Sequence, residues 1–366
     1  MTETNPVRVM HFIHSLKAGG AERQLLYLIN HSDYHEIIHA VCCFDDANKE
    51  EFDPRCEIFK LDRKNRYDFR FREFYQLLVA WEPDIVHNWL SNVQVNSFIP
   101  TRWYGKSIYL DSYRSAVKFN NFYRLIQALV YLLDDALVSI TAPENLFFPF
   151  RQIYKLKRGT TIPIGIPVKR ITNAEPALLT GIRLSVADQF MLFVGRLSPE
   201  KNISLLLQSL HQLSGEYTRL RLVICGEGRE RTRLEDQARQ LGISDKVHFI
   251  GYREDVYSIM KACDLLILPS LWEGMGNVLF EALAAGLPAV ASKIPALEYW
   301  FEDQEIVSLF DPHSLDELTD CIRRELERPA GEKEHRREEA YQFVKELDID
   351  VMVRKFTDFY TELRQR

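Results

Sequence analysis

The chain has 366 residues, 46% of them hydrophobic and 27% charged, with a formal net charge of -6 at pH 7. That length allows two domains with separate cores, and the acidic balance argues against wholesale nucleic-acid binding. No run of about 18 apolar residues is present to span a membrane. The first ten residues, MTETNPVRVM, lack the pattern of a signal peptide. The six cysteines, Cys42, Cys43, Cys56, Cys225, Cys263 and Cys321, form no C-x-x-C pair and several sit in apolar runs. They read as reduced, buried thiols of a cytoplasmic protein.

In chain order, an apolar strand VRVMHFIHSL (7–16) leads into a glycine turn, KAGG, and an amphipathic helix, AERQLLYLIN. A strand near 37–44, a helix near 68–81 and a strand at 84–89 follow. Then come the strand SIYLDS, an apolar-rich helix around 119–133 and a strand at 135–140. The second half repeats the rhythm, from FMLFVGRL and the helix PEKNISLLLQSLHQL to the strand PAVAS. Strands alternating with helices predict parallel sheets covered on both faces. A Pro/Gly-rich join near 162–176 divides the chain. The expectation is α/β, two Rossmann-like doubly wound domains at 1–168 and 169–348 facing across a cleft. The last helix, about 349–365, is expected to pack back on the first domain. The charge divides unevenly: residues 1–168 hold 20 Lys/Arg against 19 Asp/Glu, and the remainder 26 against 33.

Two stretches carry chemistry. In GRLSPEKN (195–202), Ser198 and Pro199 read as the N-cap and first residue of a helix. A capping box would place Glu or Gln three residues after the serine; Lys201 stands there instead, and Arg196 precedes the cap. Two cations at the positive end of a helix dipole make sense around an anion, most simply a phosphate. The alternative is two solvated surface charges. Position favours the anion site, because the stretch follows an apolar strand at the carboxyl edge of a parallel sheet, where open α/β sheets bind ligands. The second stretch is PSLWEGMGNVLFEALAAGLP (269–288). Here a glycine-bearing loop with Glu273 precedes a helix that Asn277 could cap and that Gly286 would end. Glu273 and Glu281 offer acceptor-only carboxylates, suited to sugar hydroxyls. Taken singly, they could be a loop charge and a helix-dipole partner.

Together these stretches resemble the GT-B fold retaining glycosyltransferases of family 4, the group 1 type. EGMGNVLFE matches that family's E-x7-E motif, GRLSPEKN its Arg/Lys diphosphate motif, and HSLKAGGAERQLLYL its first glycine loop. The similarity is strong through about 190–292, good at 7–30 and thin between 45 and 185. The resemblance implies a nucleotide-sugar donor held mainly by the second domain. Arg196 and Lys201 would bind the diphosphate and stabilise its departure, so that no metal and no further cofactor is needed. Glu273 would hold donor-sugar hydroxyls and Glu281 the ribose hydroxyls. Gly274, Met275, Gly276 and Asn277 would offer backbone N–H groups, and Gly19 and Gly20 would approach the diphosphate from the first domain. The loops CGEGRE and GYRED match positions lining the nucleotide pocket, with Tyr252 or Arg253 at the base and Gly226 nearby. Gly226 and Gly228 could equally be needed for a tight strand-to-helix turn.

Three departures from the family pattern stand out. The strand SIYLDSYRS lacks the histidine that many members place near the donor sugar. Arg114 is the candidate replacement and His87 the nearest alternative, although a lone histidine on a buried strand reads more readily as a core residue. The usual Asn-Gly before the linker is Ile164-Gly165, and the usual Gly-Gly loop reads SKIPALE. No convincing D-x-D metal site is present.

The implied reaction is transfer of a hexose-type sugar from a nucleoside diphosphate with retention, a UDP-sugar being expected ahead of a GDP-sugar. The expected acceptor is a glycan or lipid-linked glycan of surface polysaccharide assembly. Residues 55–72 hold seven Lys/Arg against three Asp/Glu among aromatics. They suggest peripheral contact with anionic lipid at the inner face of the membrane, the alternative being a solvated loop and helix face. The competing functions are a GT-B-type sugar-nucleotide epimerase and a non-catalytic nucleotide-sugar-binding protein. An NAD-dependent oxidoreductase is disfavoured because KAGGAER lacks G-x-G-x-x-G.

Overall fold

The computed structural model describes residues 5–17, 19–63, 65, 68–90, 93–113, 129–140, 153, 159–177, 188–302 and 305–365. Most of the helix expected around 119–133, and Arg114, lie outside the described residues. The chain divides into two compact units, one of residues 1–165 with 349–366 and the other of residues 166–348.

The first unit holds strands β1 (Val7–Phe12), β2 (Ile37–Cys43), β3 (Glu57–Lys60), β4 (Ile85–Asn88), β5 (Ile108–Tyr113), β6 (Ala136–Ser139) and β7 (Thr160–Thr161). All pair in parallel, in the order β3-β2-β1-β4-β5-β6-β7. Parallel strands joined through helices are covered on both faces, so β1 reads as a nearly unbroken apolar run. Helices α1 (Gly20–His31), α2 (Phe71–Trp81) and α3 (Gln94–Tyr104) belong to this unit. The α2 residues Phe74, Leu78 and Trp81 pack with Met10 and Phe12 on one face of the sheet.

The second unit opens with α4 (Val168–Thr172) and continues with β8 (Gln189–Val194), α5 (Ile203–Leu213), β9 (Leu220–Cys225) and α6 (Arg231–Gln240). Next come β10 (Val247–Gly251), α7 (Val256–Ala262), β11 (Leu265–Leu268), α8 (Asn277–Ala284), β12 (Ala289–Ser292), α9 (Pro295–Phe301) and β13 (Val307–Phe310). Helices α10 (Leu315–Glu327) and α11 (Ala330–Lys345) complete it. The parallel order β10-β9-β8-β11-β12-β13 reverses direction between β8 and β11. At such a switch point the loops after the two central strands diverge and leave a crevice at the carboxyl edge.

The last helix, α12 (Ile349–Arg364), belongs to the first unit. Its buried residues Ile349, Met352, Val353, Phe356, Phe359, Tyr360 and Leu363 recur at helical spacing. They join Val9, Leu25, Leu28 and Trp89 in one core on the face that α1 also covers. Gly165 fits beneath this helix, since a Cβ there would lie 3.1 Å from the Ile349 Cα.

Candidate functional site

Four loops of the second unit meet at the carboxyl edge of its sheet, and backbone hydrogen bonds knit them together. The loop after β8 bonds the loop after β9 through Gly195 N–H to Cys225 O (3.0 Å) and Leu197 N–H to Glu227 O (2.9 Å). Gly226 N–H donates to Gly251 O at the end of β10 (2.7 Å), and Leu271 N–H after β11 donates to Glu200 O (2.8 Å). Two glycines permit this closeness. A Cβ on Gly226, whose φ is +144°, would lie 1.9 Å from the Gly195 carbonyl oxygen, and one on Gly228 would lie 2.2 Å from that of Leu197. Both glycines therefore meet the steric need of the tight-turn reading.

The helix expected to start at Ser198 begins later. Pro199–Lys201 form one 3-10 turn, Asn202 turns left-handed at φ 50°, and the α-helix runs only from Ile203. Lys201 therefore does not sit in the first turn of an α-helix, and the dipole argument for its position gives way to direct ion pairing. Its stem lies beside Gly195, and its Nζ is 2.5 Å from Glu273 Oε1. The Ser270 hydroxyl donates to the same oxygen at 2.7 Å. Lys201 and Glu273 side chains are 19% and 11% exposed, so the pair is shielded yet reachable. Ser270 was missed in the sequence, although it stands three residues before the glutamate in the same loop. Among the described residues, Arg196 is exposed and makes no ion pair or hydrogen bond. On the far side of the 3-10 turn, Ser198 Oγ donates to Glu200 at 2.6 Å. Burial alone would raise the Glu200 pKa, but this bond, the backbone and the nearby Lys201 outweigh it and lower the value.

The E-x7-E carboxylates have different settings. Glu273 is in the loop, whereas Glu281 is buried on α8 and accepts from Tyr257 OH at 3.3 Å. Burial excludes the reading of Glu281 as a solvated helix-dipole partner. Asn277 is the first residue of α8 and does not cap it. Gly276 holds the cap position at φ 73°, a left-handed conformation that favours glycine. Gly274 is half-buried and Met275 buried beside it. The helix ends as expected near Gly286, which is left-handed at φ 73°.

Of the candidates for the base, Tyr252 is 63% exposed after β10. Arg253 is held by Asp255 through bonds of 2.8 and 2.6 Å, which lower the Asp255 pKa and raise that of the guanidinium. That bidentate pair occupies Arg253 within its own loop. In the first unit, Gly19 is the cap residue of α1 and Gly20 its first residue. Gly19 has an extended backbone at φ -159°, so no left-handed conformation requires glycine there. His87 is fully buried, bonded to Tyr360 OH (2.7 Å) and Ser112 Oγ (2.6 Å), which fits its reading as a core residue.

Three cations of the basic segment 55–72 are ion-paired among the described residues. Arg55 pairs with Asp53, Lys60 with Asp46, and Arg70 with Asp68 and Glu73. Arg63 lies over the Phe44 ring and bonds His14. Among the described residues no helix is long and apolar enough to cross a membrane, and no cluster of three metal-ligating side chains occurs.

Two doubly wound parallel units in one chain, with a cation–carboxylate pair at a switch point, define a GT-B architecture. Residues 182–343 match the family model described as glycosyl transferases group 1, so the second unit carries a glycosyltransferase domain of that group. It is 24% identical over 330 residues to the lipopolysaccharide core biosynthesis glycosyltransferase LpsD of Rhizobium meliloti (strain 1021). That alignment covers 88% of this chain and 89% of the relative. Among solved structures it resembles sucrose-phosphate synthase from Thermosynechococcus elongatus, with a TM-score of 0.83 at 18% identity over 98% of this chain and 99% of the other. It also resembles Anabaena Alr3699/HepE in complex with UDP-glucose, with a TM-score of 0.82 at 18% identity over 97% and 99%.

Proposed function

We propose that the protein transfers a hexose-type sugar from a nucleoside diphosphate, UDP ahead of GDP, to a glycan or lipid-linked glycan of surface polysaccharide assembly, with retention at the anomeric carbon as in family 4. The observation that carries this reading is the Lys201–Glu273 ion pair at the β8/β11 switch point, with Arg196 exposed on the same loop as Lys201. The cations there face a leaving diphosphate, and the carboxylate faces sugar hydroxyls.

In the reaction the C1–O bond to the diphosphate breaks and its electron pair stays on the phosphate oxygen. An acceptor hydroxyl oxygen bonds C1, and its proton passes to the departing phosphate. Charge develops on the diphosphate, so preorganised cations at that place lower the barrier. Arg196 and Lys201 supply those cations in the role a metal ion fills elsewhere. Glu273 positions the sugar, Glu281 takes the ribose hydroxyls, and the exposed Tyr252 ring lies against the base. The UDP choice draws support from the HepE complex, and the acceptor class from the name of LpsD. The free state of all six cysteines supports a reducing, cytoplasmic setting.

The test is incubation with UDP-glucose, UDP-galactose and GDP-mannose in the presence of EDTA, with a truncated lipopolysaccharide as acceptor. The expected outcome is acceptor-dependent release of the nucleotide, and a product whose anomeric configuration by NMR matches the donor. Nucleotide release without acceptor, accompanied by an epimerised sugar, would assign the site to an epimerase instead.

A further inference from the structure

The Lys201–Glu273 ion pair distributes its remaining valences unequally. Glu273 Oε1 takes both the lysine, at 2.5 Å, and the Ser270 hydroxyl, at 2.7 Å. Among the described residues Oε2 has no hydrogen-bond partner, and the other two N–H groups of Lys201 have none. An ammonium has three donors and a carboxylate about four acceptor positions, so the pair can serve two further ligand groups at once. The open N–H groups suit phosphate oxygens, and the open Oε2 suits a hydroxyl donor.

The same pair also sets the local charge. With Glu273 ionised, the Lys201 charge is cancelled by a carboxylate in contact with it. An incoming diphosphate gains the lysine and meets the carboxylate close behind. A sugar-bearing donor offsets that repulsion by donating a hydroxyl to Oε2. A bare nucleoside diphosphate has no hydroxyl at that place and meets the repulsion alone.

Resting on the donor-site reading above, we infer that Glu273 is a discriminating counter-ion. It holds Lys201 in register and weakens the site's grip on the bare nucleoside diphosphate relative to the sugar-bearing donor, which favours product release. Ser270 is a positioning residue in this device: its bond to Oε1 holds the carboxylate against Lys201 with Oε2 outward. The backbone bond from Leu271 to Glu200 ties the glutamate's loop to the lysine's turn, so the register is fixed from both sides.

The experiment measures dissociation constants of UDP and UDP-glucose by calorimetry, with GDP and GDP-mannose in parallel, for the wild type, Glu273→Gln, Glu273→Asp, Ser270→Ala and Lys201→Ala. Removing one charge beside the lysine is expected to tighten UDP by about tenfold at low salt, an advantage that shrinks as salt rises. UDP-glucose gains less, because it loses the bond to Oε2. The preference for donor over product therefore falls in Glu273→Gln. Glu273→Asp and Ser270→Ala keep the charge and do not tighten UDP. Glu273→Ala makes the same test should the amide disturb folding. If UDP binds Glu273→Gln no more tightly than wild type while Lys201→Ala still weakens it, the counter-ion role is overturned and the donor site stands. If Lys201→Ala binds both nucleotides as wild type does, or wild type binds neither, the donor-site reading fails and the inference fails with it.

Discussion

In the first unit, His11, His39, His87 and Asp111 stand within strands and find their partners inside the core, His39 through Nδ1 alone, its buried Nε2 having no hydrogen-bond partner among the described residues. The Trp89 indole donates to His11 Nδ1 at 3.0 Å, which leaves the His11 Nε2 proton to bond His39 Nδ1 at 2.9 Å. Asp111 accepts from Asn88 at 2.8 Å and from Gln94, and burial pushes its pKa up to about 7. In the second unit, the polar residues after β8 and β11 are on loops, and Arg196, Lys201 and Glu273 keep open valences. The contrast separates two uses of polar groups. Buried and bonded to one another, they fix a core. Partly satisfied at a switch point, they are available to a ligand. Both sheets are parallel and doubly wound, so fold alone does not tell the two uses apart.

Four changes break or sharpen that contrast. The largest effect is expected from Phe356→Ala on α12, which removes a fully buried ring from the first unit's core. A cost of about 3–5 kcal/mol is expected, read by urea denaturation, with the second unit's own transition unmoved. Next, Arg196→Ala with Lys201→Ala is expected to cut turnover by about 100-fold or more through lost stabilisation of the leaving group. The melting temperature should fall only modestly, because Arg196 is exposed and the Glu273 carboxylate that loses Lys201 keeps its Ser270 bond and some contact with solvent. A large fall in stability would show that the pair is structural.

The third change concerns acid. Burial, outweighing the nearby Asp53, pushes His39 down to about 3 from its ordinary 6.5. The unfolded chain therefore binds a proton between those values that the folded chain refuses. Stability from this group is intact above about pH 6.5 and falls toward pH 3, by up to about 1.4 kcal/mol per pH unit. His39→Asn keeps an acceptor where Nδ1 stands and removes the titration. A shallower acid slope of unfolding free energy below pH 6 is expected for that variant, and an unchanged slope would show that other groups drive it. The smallest effect is expected from Tyr360→Phe, which deletes the hydroxyl bonded to His87 at a cost of about 1 kcal/mol. Chemical denaturation resolves that difference, and nucleotide binding in the second unit should be untouched.

The two-sheet architecture was legible because buried parallel strands write unbroken apolar runs, and because α12 repeats its apolar face so regularly. GRLSPEKN and EGMGNVLFE marked the candidate site because charged residues at strand exits have no packing reason to be there. The remainder depended on contacts across the chain. Nothing local distinguishes a serine that caps a helix from Ser198, which precedes a single 3-10 turn. Asn277 fits a cap by type, but Gly276 takes the left-handed cap conformation instead. The ion pairs of Arg55 and Lys60 in the basic run 55–72 were hidden because Asp46 comes from outside the run and Asp53 lies just before it. The Lys201–Glu273 bond joins residues 72 positions apart, beyond the reach of any spacing rule.

The most direct test of the account is thermal stabilisation of the protein by UDP, GDP, ADP and NAD, with the Arg196→Ala, Lys201→Ala double variant as control. A ligand that binds only the folded state at 100 times its dissociation constant adds about 2.7 kcal/mol of stability. The account predicts a shift with one nucleoside diphosphate, UDP first, that disappears in the double variant. An equal shift in the double variant, or a shift with NAD alone, would contradict it.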